Sequence, residues 1–473
     1  MVAGARGRVS PMTNEQVAGH VAAENDNLPS TVAPAAMPAA MPSAPAPAGA
    51  SATLDRRGFL GLCAAAGASC ALALAGCGGT GEASSEGASD SSAAGATADA
   101  VPILDDSASG TASVTATAAS TGDPAAVSAS DEVEALLSTL TLEQKIYQLF
   151  IIRPEALTGF DPVVQAGDAT RAALEATPVG GLAYFAKNIT GADQFTTMLA
   201  NTAAMAPNVP LFLAIDEEGG PLVARVANSG VFDVPAFPAM YEVGASGDAT
   251  AAFEVGDAIG SYLSQIGINL DFAPVADVLT NSSSSIGDRS FSSDPQVAAA
   301  MVAQAVAGLQ GHGVSATVKH FPGLGDVEQD SHTGAAVSWR TLDDLRSCEF
   351  LPFKAAIDAG VDLVMVGHVT TPAASGDELP ATLSPTAITG WLRTELGFDG
   401  VVVSDSMAMG AVTESFTADE AAAAFIIAGG DVVLDPEDFP LAYAGVLEAV
   451  RSGRVTEARV DESVRRILRV KLS

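Results

Sequence analysis

Residues 314–332 read VSATVKHFPGLGDVEQDSH. The first five are small or β-branched, the pattern of a short buried strand. The next fourteen hold one lysine, two histidines and three acids, with Pro322, Gly323 and Gly325 breaking regular structure. A polar loop leaving the end of a core strand is where an α/β enzyme carries its chemistry. Asp330 and His332 stand two apart, so in an extended segment both side chains leave the same face. A carboxylate so placed holds an imidazole in one tautomer and raises its basicity, as a general acid/base pair requires. The competing reading is a solvated loop with two incidental histidines. The rest of the chain decides between them.

Working outward, seven more short apolar runs share the form of 314–318. They cover 149–152, 181–186, 211–215, 270–275, 361–366, 400–403 and 431–434. Ala-rich helical stretches such as 298–309 and 348–359 lie between them. Eight β runs, each followed by a helix, predict a (β/α)8 TIM-like barrel in one catalytic domain over 131–473. Helices over 132–148 and 460–472 close it at either end of the chain order. The alternative is a doubly wound open sheet. No GxGxxG follows the first strand, which counts against its dinucleotide-binding form.

Polar residues gather after these strands. Asp216-Glu217-Glu218-Gly219-Gly220 follows the third, with Arg225 beyond. Asp277 follows the fourth, then Gly287-Asp288-Arg289-Ser290-Phe291. His368 follows the sixth, at the rim, with either a functional or a merely satisfied ring. Ser404-Asp405-Ser406 follows the seventh. In a barrel these positions converge on one mouth. There is no HExxH, CxxC or EF-hand loop and no phosphate-cradling Gly-rich loop, so neither a metal nor a cofactor is expected. Zinc on His320, His332 and Asp326 is the minor alternative. Carboxylates beside Lys, His and Arg suit a polyhydroxylated ligand.

The motifs DEEGG, GxRSF, KHFPGxGD, DSH and SDSM, in this order, resemble glycoside hydrolase family 3 over about residues 132–473. TLEQK at 141–145 and GGLAYFAKN at 180–188 fit the same pattern. The DSH loop resembles the exo-β-N-acetylglucosaminidase branch. The resemblance implies a retaining double displacement with Asp405 as nucleophile and His332, held by Asp330, as acid/base. It assigns Asp216, Arg225, Arg289, Lys319 and His320 to the hydroxyls of the terminal sugar. Three departures stand out: Leu324 replaces a frequent histidine, Arg225 lies one residue late, and Ser406 replaces a frequent aspartate. Members acting on plant-type β-glucosides often take their acid/base from a second C-terminal domain. Here the acid is expected from the barrel. The expected substrate is β-GlcNAc at the end of peptidoglycan fragments or related glycans. The alternatives are a β-glucosidase or β-xylosidase, a phosphorolytic variant (a histidine leaves room for an anionic acceptor), and a non-catalytic sugar-binding lipoprotein.

Composition frames this domain. The 473 residues carry a net charge of −34, which excludes nucleic acid as a natural partner. Residues 1–130 are dominated by Ala, Pro, Ser, Gly and Thr and cannot bury enough apolar surface to offset ordering entropy. Arg56-Arg57 before an apolar run resembles a twin-arginine export signal, and Leu74-Ala75-Gly76-Cys77 a lipobox. Residues 1–76 then form the leader, Cys77 carries the lipid, and 77–130 is a flexible tether. The expected location is the outer face of the cytoplasmic membrane, as a monomer. An uncleaved membrane anchor is the alternative. Cys348 is the one cysteine of the folded domain, so no disulfide forms within it.

Overall fold

The computed structural model describes residues 124–473 apart from residue 207. The expected leader, Cys77 and most of the tether lie outside the described residues.

Eight strands form the barrel: β1 (Phe150–Ile152), β2 (Gly181–Ala183), β3 (Phe212–Ile215), β4 (Leu270–Asp271), β5 (Ser315–Phe321), β6 (Leu363–Val366), β7 (Val401–Ser404) and β8 (Val433–Leu434). Neighbours run β7-β6-β5-β4-β3-β2-β1-β8, all parallel. A parallel bridge between Val403 and Val432 joins the two ends. The sheet therefore closes on itself, and the open doubly wound alternative falls. Backbone bonds from Ser404 N to Val432 O and from Asp431 N to Val402 O, both 2.9 Å, line the closing seam, and Asp431 reinforces it from a buried position. Its carboxylate accepts from Val402 N (3.0 Å) and Ser463 Oγ (2.6 Å) and is paired with Arg393. Ser463 belongs to the last helix, Glu457–Lys471, so this one acid ties β7, β8 and the terminal helix together.

The strand ends differ from the periodicity in an instructive way. β5 was expected to stop at 318 but runs to Phe321, so Lys319 and His320 are strand residues and not loop residues. Neighbours on both sides extend the ladder: Lys319 bridges Val275, and Phe321 pairs with Val366. Charged residues are rare in strands, which hid this extension. The regular part of β4 ends at Asp271, yet Thr317 N still donates to Ala273 O (2.8 Å) and Lys319 N to Pro274 O (3.2 Å) before the bridge at Val275; Pro274 itself has no N–H to give the ladder. The single helix expected over 132–148 is two, Pro124–Thr139 and Leu142–Gln148. Thr141 caps the second, with Gln144 N donating to Thr141 Oγ1 (3.2 Å) and Thr141 N donating to Gln144 Oε1 (3.0 Å). This reciprocal capping box makes a helix start out of what reads as helix interior.

Two excursions shape the mouth. After β3, Glu217–Gly219 pairs antiparallel with Val223–Ala224 across a turn in which Gly219 and Gly220 take φ of +81° and +72°. After β5, Ala336–Val337 pairs with Val369–Thr370, which follows β6. That pairing tethers the far end of the DSH loop beside the β6 loop. Cys348 lies half-buried between the helices Leu342–Ser347 and Phe350–Asp358, not inside one helix as expected, and burial raises its thiol to about 11.

Candidate active site

The end of β3 and the end of β5 meet through charge. Lys319 Nζ lies 2.7 Å from Asp216 Oδ1 and 2.6 Å from Glu218 Oε1. Arg289, from the loop after β4, grips the same Glu218 with both prongs, Nε to Oε2 (2.8 Å) and Nη2 to Oε1 (2.7 Å). Burial would raise the Glu218 carboxyl, but Arg289 and Lys319 outweigh it and hold the group well below the usual carboxylate range. Burial likewise opposes the Lys319 ammonium, and Asp216 and Glu218 restore it. The outcome is a compact cluster of two carboxylates around two cationic side chains. Its members come from the ends of β3 and β5, the hairpin after β3 and the turn at Gly287–Arg289, an array of donors and acceptors that suits a polyhydroxylated ligand.

His320 is oriented from behind. Its Nδ1 lies 2.7 Å from Asp277 Oδ2, and Asp277 Oδ1 also accepts from Leu324 N (2.7 Å) and His320 N (3.3 Å). The buried carboxylate fixes the tautomer, with the proton on Nδ1 and Nε2 left for the site. Asp405 follows β7. Burial pushes its carboxyl up, while the imidazoles of His320 and His368, the Ser406 N–H and His332 together bring it below its ordinary value. It is therefore ionised at neutral pH, as a nucleophilic carboxylate must be. Burial also lowers the His368 pKa, against the pull of Asp405, so its ring is neutral. Its Nε2–H donates to Ser406 O (2.9 Å), and its Nδ1 accepts from Thr382 Oγ1 (2.6 Å).

The DSH loop lies above this floor. Asp330 Oδ1 accepts from both the backbone N (2.9 Å) and the ring Nδ1 (2.7 Å) of His332. The His332 side chain is 60% exposed, so its Nε2 is open to solvent or substrate. The loop rests on the turn that carries Asp405 onward: Gly410 N donates to His332 O and Ala411 N to Ser331 O, both at 3.2 Å. Gly410 permits this approach, since a Cβ there would come 3.0 Å from His332 O.

Comparison with known proteins bears on this geometry. The description Glycosyl hydrolase family 3 N terminal domain matches residues 141–470. The chain belongs to glycosyl hydrolase family 3. A family 3 β-N-acetylglucosaminidase from Paenibacillus sp. str. FPU-7 superposes with a TM-score of 0.65 at 39% identity, covering 70% of this chain. The chain spans 62% of that protein's length. A β-N-acetylhexosaminidase from Beutenbergia cavernae DSM 12333 gives a TM-score of 0.62 at 30% identity, covering 70% of this chain and 98% of that one. A β-hexosaminidase of Stenotrophomonas maltophilia (strain K279a) is 39% identical over 267 residues, 55% of this chain and 77% of that protein.

Within this family 3 barrel, Asp216, Arg289 and Lys319 form one cluster, joined by Glu218, and His320 lies near Asp405. Asp330 and His332 pair with each other on the overlying loop. Arg225 stands apart. Its backbone N donates to Asp216 O (3.2 Å), but its buried Nε has no partner among the described residues. It lies in the turn just past Val223–Ala224, where its charge faces Glu217. Two residues stand among the polar groups after the strands with no role assigned from sequence. Glu218 proves to be the hub of the charged cluster, and Asp277 the orienting partner of His320. Neither had a signal of its own, because its partners lie far off in sequence. Among the described residues no group of three or more His, Cys, Asp or Glu side chains is arranged to hold a metal ion.

Proposed function

We propose that this family 3 enzyme is a retaining exo-β-N-acetylglucosaminidase. In the first step an Asp405 oxygen bonds to the anomeric carbon. The bond from that carbon to the glycosidic oxygen breaks, and His332 Nε2–H delivers its proton to the departing alcohol. In the second step the neutral His332 takes a proton from water. The resulting hydroxide bonds to the anomeric carbon, and Asp405 leaves as a carboxylate. Asp216, Arg289, Lys319 and His320 bind the ring hydroxyls, with Arg225 a weaker candidate. The observation that carries the reading is an ionised carboxylate after β7 beneath a loop whose exposed histidine is held by its own aspartate. The relatives named β-hexosaminidase and β-N-acetylglucosaminidase support the 2-acetamido sugar as substrate.

Peptidoglycan fragments are the proposed natural source, and a lipid on Cys77 the proposed attachment to the outer face of the cytoplasmic membrane. The Arg56-Arg57 signal and the Leu74–Cys77 lipobox motivate both. The test is release of aryl alcohol from β-GlcNAc and β-glucoside substrates, with and without phosphate. Turnover of β-GlcNAc that vanishes in Asp405→Asn supports the proposal. Turnover of the glucoside alone, or only with phosphate, replaces it with the β-glucosidase or phosphorolytic alternative. Turnover of neither supports the non-catalytic one.

A further inference from the structure

Two residues outside the charged cluster meet where the barrel closes. Arg153 follows β1 and Asp435 follows β8, and these strands are neighbours. Arg153 Nε donates to Asp435 Oδ1 (2.7 Å), Ser406 Oγ donates to Asp435 Oδ2 (3.1 Å), and Asp435 N donates to Ile151 O (2.8 Å). Asp435 is buried, and its φ of +44° makes it the one non-glycine residue with positive φ among the described residues. Glycine would take that conformation freely, so the position keeps a strained backbone for the sake of its side chain. Sequence reading gave neither Arg153 nor Asp435 a role.

Ser406 explains what the side chain does. All three of its polar groups are engaged. Its N–H donates to Asp405 Oδ1 (2.8 Å), its C=O accepts from His368 Nε2 (2.9 Å), and its hydroxyl goes to Asp435. His368 comes from the β6 side and Asp435 from the β8 side, so the residue after the nucleophile is braced from both neighbouring strands. We propose that Asp435 is a positioning residue for the nucleophile. Acting through the Ser406 hydroxyl, it fixes the Ser406 N–H on Oδ1 of Asp405 and leaves Oδ2 free to attack the anomeric carbon. This inference rests on the reading of Asp405 as nucleophile. It also gives the serine that departs from the usual family aspartate a function: a hydroxyl donates to Asp435, whereas a second carboxylate there would repel it.

The competing account is a structural ion pair that merely seals the β1/β8 seam. The test measures kcat, KM and Tm on an aryl β-GlcNAc for the full chain and for Ser406→Ala, Ser406→Thr and Asp435→Gly. Positioning lowers kcat about 10- to 100-fold in Ser406→Ala and Asp435→Gly. KM then stays within about threefold, Ser406→Thr recovers most of the rate, and Asp435→Gly keeps its Tm because glycine relieves the strained φ. Retention of kcat in either variant overturns the inference, whether or not Tm falls. So does a loss that Ser406→Thr fails to recover. Absence of Asp405-dependent turnover in the unaltered chain defeats the underlying reading instead, and the two failures are thereby distinguished.

Discussion

The two halves of the stretch 319–332 are built in opposite ways. Lys319 and His320 belong to a strand, are buried, and contact three carboxylates from two other parts of the chain: Asp216 and Glu218 after β3, and Asp277 after β4. Asp330 and His332 sit on an excursion, the first half-buried and the second exposed, and their side chains contact mainly each other. The first half has its geometry imposed by the barrel. The second carries its geometry with it, because a pair two residues apart closes through its own backbone N–H. The contrast suits the two tasks proposed for these residues. A site for sugar hydroxyls gains from rigidity. An acid/base must reach a leaving group that lies outward, and it functions with solvent access in the hydrolytic step.

Breaking the rigid half should have the largest effect. Glu218→Gln strips the buried Arg289 of its carboxylate ion pair and leaves Lys319 only Asp216 as a direct ion-pair partner. A loss of about 3–5 kcal/mol of stability is expected, with weakened sugar binding. Urea unfolding measures it, and a change under 1 kcal/mol would mean the cluster is better hydrated than its burial implies. The joint between the halves comes next. Gly323 packs so closely on Glu349 that a Cβ would come 2.6 Å from its Cγ. Burial pushes the Glu349 carboxyl up to about 7, against Arg340, whose Nε lies 3.0 Å away without hydrogen-bond geometry. Because the folded value lies above the unfolded one, this contribution is whole below about pH 4.5 and lost as pH rises through 7. Glu349→Gln should therefore stabilise the protein at pH 8, by at most roughly 3 kcal/mol, and not at pH 4.5. Equal shifts in Tm at both pH values would refute this. The smallest effect belongs to the self-contained half. Asp330→Asn should lower kcat/KM about tenfold and leave Tm unchanged, since the pair supports nothing else. A Tm loss on the scale of Glu218→Gln would erase the distinction between the halves.

Much of this was legible beforehand. The barrel followed from eight apolar runs alternating with helices, because strands buried on both faces must be apolar throughout. Asp405 was legible as the acid ending such a run, and the Asp330–His332 pair from spacing alone. The ends of β4 and β5 were not, since Pro274 and the charged Lys319-His320 mask a ladder that neighbouring strands impose. Arg153 and Asp435 stayed silent because their contacts, with each other and with Ser406, form only when β8 closes against β1.

Glu217 and Glu218 mark the division most sharply. Sequence determined that two adjacent glutamates follow β3 at the mouth of a barrel. It could not assign them. Tertiary structure gives Glu217 to the hairpin, where it accepts from Val226 N (2.6 Å), Ala227 N (3.0 Å) and Tyr262 OH (2.7 Å). Burial raises that carboxyl, only partly offset by these donors. Glu218 goes to Arg289 and Lys319, and its carboxyl is lowered. Adjacent residues in an extended segment point to opposite sides, so chemically identical neighbours meet unlike surroundings. Composition and order fix which groups arrive at the mouth; closure of the sheet decides which partners each one meets.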